Sequence, residues 1–185
     1  QPSDSVTAFI GDAPDYLIWI FDDTTQSALN SGDSLLAALQ ANGRDAALST
    51  DLFGFGSSLA PYKAIFVVLL GGESDILTLQ ATDPETPALR DYLYNGGSLY
   101  AEGGATLQLG SRSGQGFDFR PWFGLQGNET ATLFAFGIDF IEGLNSFSGL
   151  TYDYDFNFSL TIIEGLNPGS AIDLFRTTNS DSHIL

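Results

Sequence analysis

Apolar residues along this chain come first in short, dense blocks separated by polar, glycine-rich breaks. Tyr16-Leu-Ile-Trp-Ile-Phe21 is unbroken and stops at Asp22-Asp23, which predicts a strand buried on both faces. Ser27 to Asn42 instead spaces Leu29, Leu35, Leu36 and Leu39 at helical intervals and closes on Asn42-Gly43, a helix with a C-terminal stop. Ala46 to Ser49 reads as a short second strand. Asp51 to Ala60 is rich in Gly and Phe and reads as a loop or broken helix. Ala64-Ile-Phe-Val-Val-Leu-Leu70 is the strongest strand pattern, closed by Gly71-Gly72. A polar stretch leads through Pro84 and Pro87 to a helix over Ala88 to Tyr94. Asn95-Gly96-Gly97 stops that helix, and a strand, Ser98 to Ala101, follows and breaks at Glu102-Gly103-Gly104. Alternation of strands and helices in this order predicts right-handed crossovers and a doubly wound parallel sheet.

After Gly104 the texture changes. Residues 105 to 127 are Gly-rich, and short β-prone pieces follow at Thr130 to Phe136, Leu150 to Tyr154, Phe158 to Ile163 and Ala171 to Phe175. Turn signals at Gly143, Gly149 and Asn167-Pro168-Gly169 separate them. This half is expected to extend the same sheet, so residues 16–185 are read as a single α/β domain, preceded by an arm or linker over 1–15. The aromatics Trp122, Phe123, Phe134, Phe136, Tyr152, Tyr154, Phe156 and Phe158 are read first as core. A sugar-stacking or self-association surface is the second reading.

Composition narrows the partners. The 185 residues include 6 Lys plus Arg against 23 Asp plus Glu, a formal charge of −17, so nucleic acid and anionic membranes are poor partners. No apolar run reaches the ~18 residues of a membrane span, so no membrane insertion is expected. With 43% hydrophobic and 13% aromatic residues, a substantial core is expected. The chain has no Cys and no Met. Disulfides and thiol chemistry are therefore excluded, and Gln1 is expected either to follow a cleavage site or to open an excised module, a processed, secreted protein at the cell surface being the expected history.

Candidate chemistry gathers at the strand ends. In open parallel sheets ligands bind beyond the carboxyl ends of the strands. Asp22 and Asp23 follow the first strand, Glu73 and Asp75 the third, and Glu102 the fourth. Carboxylates converging there suit Ca²⁺ or Mg²⁺, and Asp22, Asp23, Glu73 and Glu102 form the candidate metal set. Strand ends are also acidic simply because they are solvated, and that reading leads, so no cofactor beyond Ca²⁺ enters the expectation.

The acid pair after the first strand resembles a phospho-acceptor receiver domain. That reading needs an Asp after the third strand and a late Lys, whereas Leu70-Gly71-Gly72 and Lys63 stand in this chain. Nucleophilic catalysis lacks a base, because the one His is His183, near the end of a polar segment. Glu102 with Asp22 could in principle act on glycosides, but nothing sets their separation. Gly54-Phe-Gly56 and Gly114-Gln-Gly116 lack the strand and helix of a phosphate loop. Asn128-Glu-Thr130 and Asn157-Phe-Ser159 match the N-glycosylation acceptor, which makes Asn128 and Asn157 candidate glycan sites.

Three segments, Tyr16 to Asp23, Tyr62 to Gly72 and Leu89 to Gly104, resemble the class I glutamine amidotransferase-like, flavodoxin-like domain of secreted bacterial proteins. The likeness extends from Gly143 to Tyr152 and from Gly169 to Phe175. It implies a three-layer sandwich with a mostly parallel central sheet, a β-rich C-terminal half, and a sheet continuing past Leu185. Enzymes of that fold carry a Cys at the turn that here reads Glu102-Gly103-Gly104, so the catalytic role is not carried over. The expectation is a non-enzymatic extracellular structural or adhesive module, self-associating or bound to other surface proteins. A Ca²⁺- or carbohydrate-binding accessory module of a larger secreted enzyme is the alternative.

Overall fold

A computed structural model describes residues 13–21, 26–69, 79, 81–102, 120–125, 131–132, 138–156, 163–164, 169–172 and 174–178. The chain divides into two compact units, 1–103 and 104–185.

The first unit is an α/β structure around a parallel sheet. Its strands are β1 (Tyr16–Ile20), β2 (Ala46–Ser49), β3 (Ala64–Val68) and β4 (Ser98–Glu102), and its helices are α1 (Gln26–Ala41) and α2 (Glu85–Tyr94). The strands lie in the order β2-β1-β3-β4, and every pair is parallel. β1 is central, and Leu17, Ile18, Trp19 and Ile20 are at most 2% exposed, as a continuous apolar run in a two-sided sheet requires. On one face Ile18, Ile20 and Val68 form a cluster with Ala28 of α1, flanked by Leu29, Leu35, Leu36, Leu39, Leu48 and Phe66. The leucines that predicted the helix are the ones that bind it to the sheet. Fully burying a side chain of this size contributes on the order of 1.5–3 kcal/mol, and these partly buried leucines each contribute less.

Gly32 lets α1 approach closely. A Cβ there would lie 2.6 Å from Ile20 Cδ1 and 2.9 Å from Leu48 Cδ1. Both helices then stop in the same way. In α1 the Gly43 N–H donates to the Gln40 carbonyl and the Arg44 N–H to the Leu39 carbonyl. In α2 the Gly96 N–H donates to Leu93 and the Gly97 N–H to Tyr92. These are paired Schellman closures, with Gly43 at φ 67° and Gly96 at φ 88°, where a side chain would be strained. The preceding asparagines reinforce them: Asn42 Nδ2 donates to the Ala38 carbonyl at 2.8 Å and Asn95 Nδ2 to the Asp91 carbonyl at 2.7 Å.

In the second unit the described strands are antiparallel. β5 (Ala131–Thr132) pairs with β8 (Ile163–Glu164), while β6 (Ile138–Gly143) lies between β7 (Thr151–Phe156) and β9 (Phe175–Thr178). Sequence reading anticipated β7 but not β6, whose Asp139 and Glu142 interrupt the apolar pattern. A tight 3₁₀ turn over Asn145–Phe147 links β6 to β7, with Asn145 at φ 49°. The N–H groups of Gly169, Ser170 and Ala171 all donate to the Gly124 carbonyl, at 3.0, 2.9 and 3.2 Å.

The expectation that this half prolongs the first sheet differs from what is found. Among the described residues its strands pair only with one another. Short reversals such as the one between β6 and β7 can join only antiparallel neighbours, whereas a parallel strand needs a long crossover.

Candidate functional site

Parallel register brings Ile20, Val68 and Glu102 side by side at the carboxyl edge of the sheet. The ladder continues one step further, where the Phe21 N–H donates to the Val68 carbonyl at 3.1 Å and the Leu69 N–H to the Glu102 carbonyl at 2.7 Å. The strand order reverses between β1 and β3, which makes this edge the switch point where ligands of open α/β sheets are held. Of the candidate cation ligands, Glu102 is described here. Asp22, Asp23 and Glu73 lie outside the described residues, as do Asp75 and both candidate glycan sites, Asn128 and Asn157.

Glu102 is half-buried, and each of its carboxylate oxygens accepts a hydroxyl. Ser31 of α1 donates through Oγ to Oε1, and the Tyr100 phenol donates to Oε2 at 3.1 Å. Strand alternation puts Tyr100 and Glu102 on one face of β4, so that contact follows from their spacing of two. Ser31 is 71 positions away and reaches Glu102 only because α1 crosses the same face. Sequence reasoning missed Ser31, since a serine inside a helix carries no signal of a distant acceptor.

Burial, the neighbouring Glu102 charge and the hydrogen bond to it push the Tyr100 phenol up to about 12, in that order of weight. Its ring sits 5.6 Å from that of Phe66, its register partner on β3, while 44% of the residue remains exposed. The phenol therefore stays a protonated donor well into alkaline solution. A carboxylate with two hydroxyl donors is held in one orientation and keeps lone pairs for a cation. Among the described residues no group of three or more acidic or His side chains is placed to hold a metal ion.

Comparison with known protein families, characterised proteins and solved structures finds no match for the chain.

A second concave feature lies at the opposite edge. A groove of about 470 Å³ opens where the chain enters β3 and β4, walled by Phe53, residues 57–60, Tyr62 and Lys63, the last turns of α2 and the Gly96-Gly97 stop. Sequence reading did not anticipate it. Residues 51–60 carried only a loop signal, and parallel-sheet logic directs attention to the carboxyl ends. The aromatic candidates divide as follows. Trp122 and Phe123 are half-buried and Tyr152 is exposed, while the side chains of Phe134, Phe136, Tyr154, Phe156 and Phe158 lie outside the described residues. Among the described residues no helix is long and apolar enough to cross a membrane.

Proposed function

We propose that this chain is a non-enzymatic extracellular structural or adhesive module, a flavodoxin-like three-layer sandwich with a β-rich second half that self-associates. Strand order β2-β1-β3-β4 supports the fold, because right-handed crossovers running in opposite directions from β1 and β3 send α1 and α2 to opposite faces. A sequence with no Cys and a single His, at position 183, supports the non-enzymatic reading.

One observation carries the self-association: an exposed aromatic cluster on the sheet formed by β6, β7 and β9. Phe147 and Phe175 stack with ring centroids 4.9 Å apart, and Tyr152 lies 6.5 Å from Phe175. Leu150, Leu174 and Ile172, close to them in sequence, are exposed as well, Ile172 to 71%. Apolar groups grouped in this way mark contact surfaces more often than scattered ones do. Among the described residues β7 and β9 each pair on one side only, with β6. A second copy of the chain offers the matching aromatic face.

The charge of −17 opposes that contact between two copies. Association is therefore expected to strengthen as salt rises or Ca²⁺ is added, the reverse of a contact driven by opposite charges. Sedimentation of the whole chain across a salt series tests this. Tyr152→Ser with Phe175→Ser should leave a monomer under conditions where the unmodified chain associates. A monomer at every salt and calcium concentration would sink the reading.

A further inference from the structure

We propose that Gly143 is the positioning residue of the aromatic contact surface, an assignment that rests on the self-association reading. Gly143 presets Phe147 against Phe175 before a second copy of the chain arrives.

Gly143 of β6 stands directly opposite Phe175 of β9, and Ile141, two positions earlier, stands opposite Tyr152 of β7. Alternation therefore puts Gly143, Phe175 and Tyr152 on one face of this sheet. With no side chain at position 143, that face has a gap beside Phe175, and Phe147 enters it from the 3₁₀ turn. The two rings then lie with centroids 4.9 Å apart. A Cβ on Gly143 would collide with the Phe147 carbonyl and lie 3.0 Å from the Phe147 Cβ. The φ of Gly143 lies outside the left-handed region, so room for Phe147, and not backbone freedom, requires glycine here.

The turn holds Phe147 by both of its backbone groups. Its N–H donates to the Leu144 carbonyl at 2.9 Å, and its carbonyl accepts from the Leu150 N–H at 3.0 Å. The ends of the turn are tied as well. The Gly143 N–H donates to the Leu150 carbonyl at 2.9 Å, and the Leu144 N–H to the Leu174 carbonyl at 2.7 Å. Phe147 cannot swing away without breaking these bonds, yet it stays 38% exposed. It is thus fixed within the chain and still reachable from outside. A partner that meets rings already in place has fewer side chains to order on contact, which strengthens association.

Two measurements test the assignment. At low salt, where the chain is unassociated, the Phe147 ring protons should already carry ring-current shifts from Phe175, and Gly143→Ala should remove them. At a salt concentration where the unmodified chain associates, sedimentation should show Gly143→Ala associating roughly threefold to tenfold more weakly. Gly43→Ala, a destabilising change in the other unit, should associate as the unmodified chain does, which separates positioning from general loss of stability. The ring-current measurement is made on the unmodified chain, so it decides the matter even where Gly143→Ala fails to fold. Absence of those shifts in the unassociated chain, or equal weakening by Gly43→Ala, overturns the assignment. Undiminished association of Gly143→Ala, with the Tyr152→Ser, Phe175→Ser pair monomeric, overturns it and leaves the self-association reading standing. A chain that stays monomeric throughout overturns both.

Discussion

At the residue scale, Glu102 shows how a strand-end acid acquires partners that its own segment does not announce. Its two hydroxyl donors come from β4 itself and from α1. Replacing it with Gln turns one acceptor oxygen into an N–H₂ group that faces a hydroxyl. Glu102→Gln is therefore expected to lose about 1–3 kcal/mol of stability in urea denaturation. Tyr100 gives the pH signature. Its folded-state pKa of about 12 stands above the ordinary value of 10.0, so its contribution is complete below about pH 10 and is lost as pH rises toward 12. Tyr62 and Tyr92, both raised by burial, and Lys63, raised by Asp15, act in the same direction. The melting temperature should fall above about pH 10, and Tyr100→Phe should reduce that fall without abolishing it. The Tyr100–Glu102 contact follows from a spacing of two in β4, but sequence reading ended that strand at Ala101 and put Glu102 in the turn. Ser31 was not legible either, because helix serines of many kinds look alike in sequence.

At the element scale, the helix stops and the Gly32 contact are the most local determinants of the fold. Gly43 has open space where a Cβ would go, so Gly43→Ala carries only the conformational cost of a positive φ, about 1–2 kcal/mol in thermal or urea unfolding. Gly32 is the converse case, with ordinary backbone and no room. Gly32→Val should push α1 away from Ile20 and Leu48 and cost about 1–3 kcal/mol. The Asn-Gly stops and the leucine spacing of α1 were readable because both follow local chemistry. The start of α2 was read three residues late, since Pro84 and Pro87 suggested a turn while Pro87 in fact occupies the first turn of the helix, where its missing N–H is harmless. β6 was missed because its apolar spacing is irregular, and a bulge between Ile138 and Phe140 disturbs its register.

At the scale of the whole molecule, charge sets the conditions under which surfaces meet. A chain of net charge −17 with a pI near 4.1 repels its own copies at neutral pH. Lowering the pH toward 4 should promote association as raised salt does, with light scattering as the measure, and the Tyr152→Ser, Phe175→Ser pair should blunt both responses. The sign of the charge was plain from composition. The aromatic surface was not, because alternation alone cannot say which face of an antiparallel strand is covered; that depends on what packs against the sheet.

The twin helix stops also act on a chemical timescale. Asn-Gly is the dipeptide most prone to deamidation, in which the glycine nitrogen attacks the asparagine side-chain carbonyl. At Asn42-Gly43 and Asn95-Gly96 the side-chain amide donates to a helix carbonyl, and the glycine N–H is held by another. The same bonds that end each helix thus restrain the attacking and attacked groups, and ageing at these sites becomes a record of how often each helix end opens. Peptide mass spectrometry after prolonged incubation should find both asparagines intact in the folded chain and converted in urea. Faster conversion at one stop than at the other would rank the two helix ends by the frequency of their local unfolding.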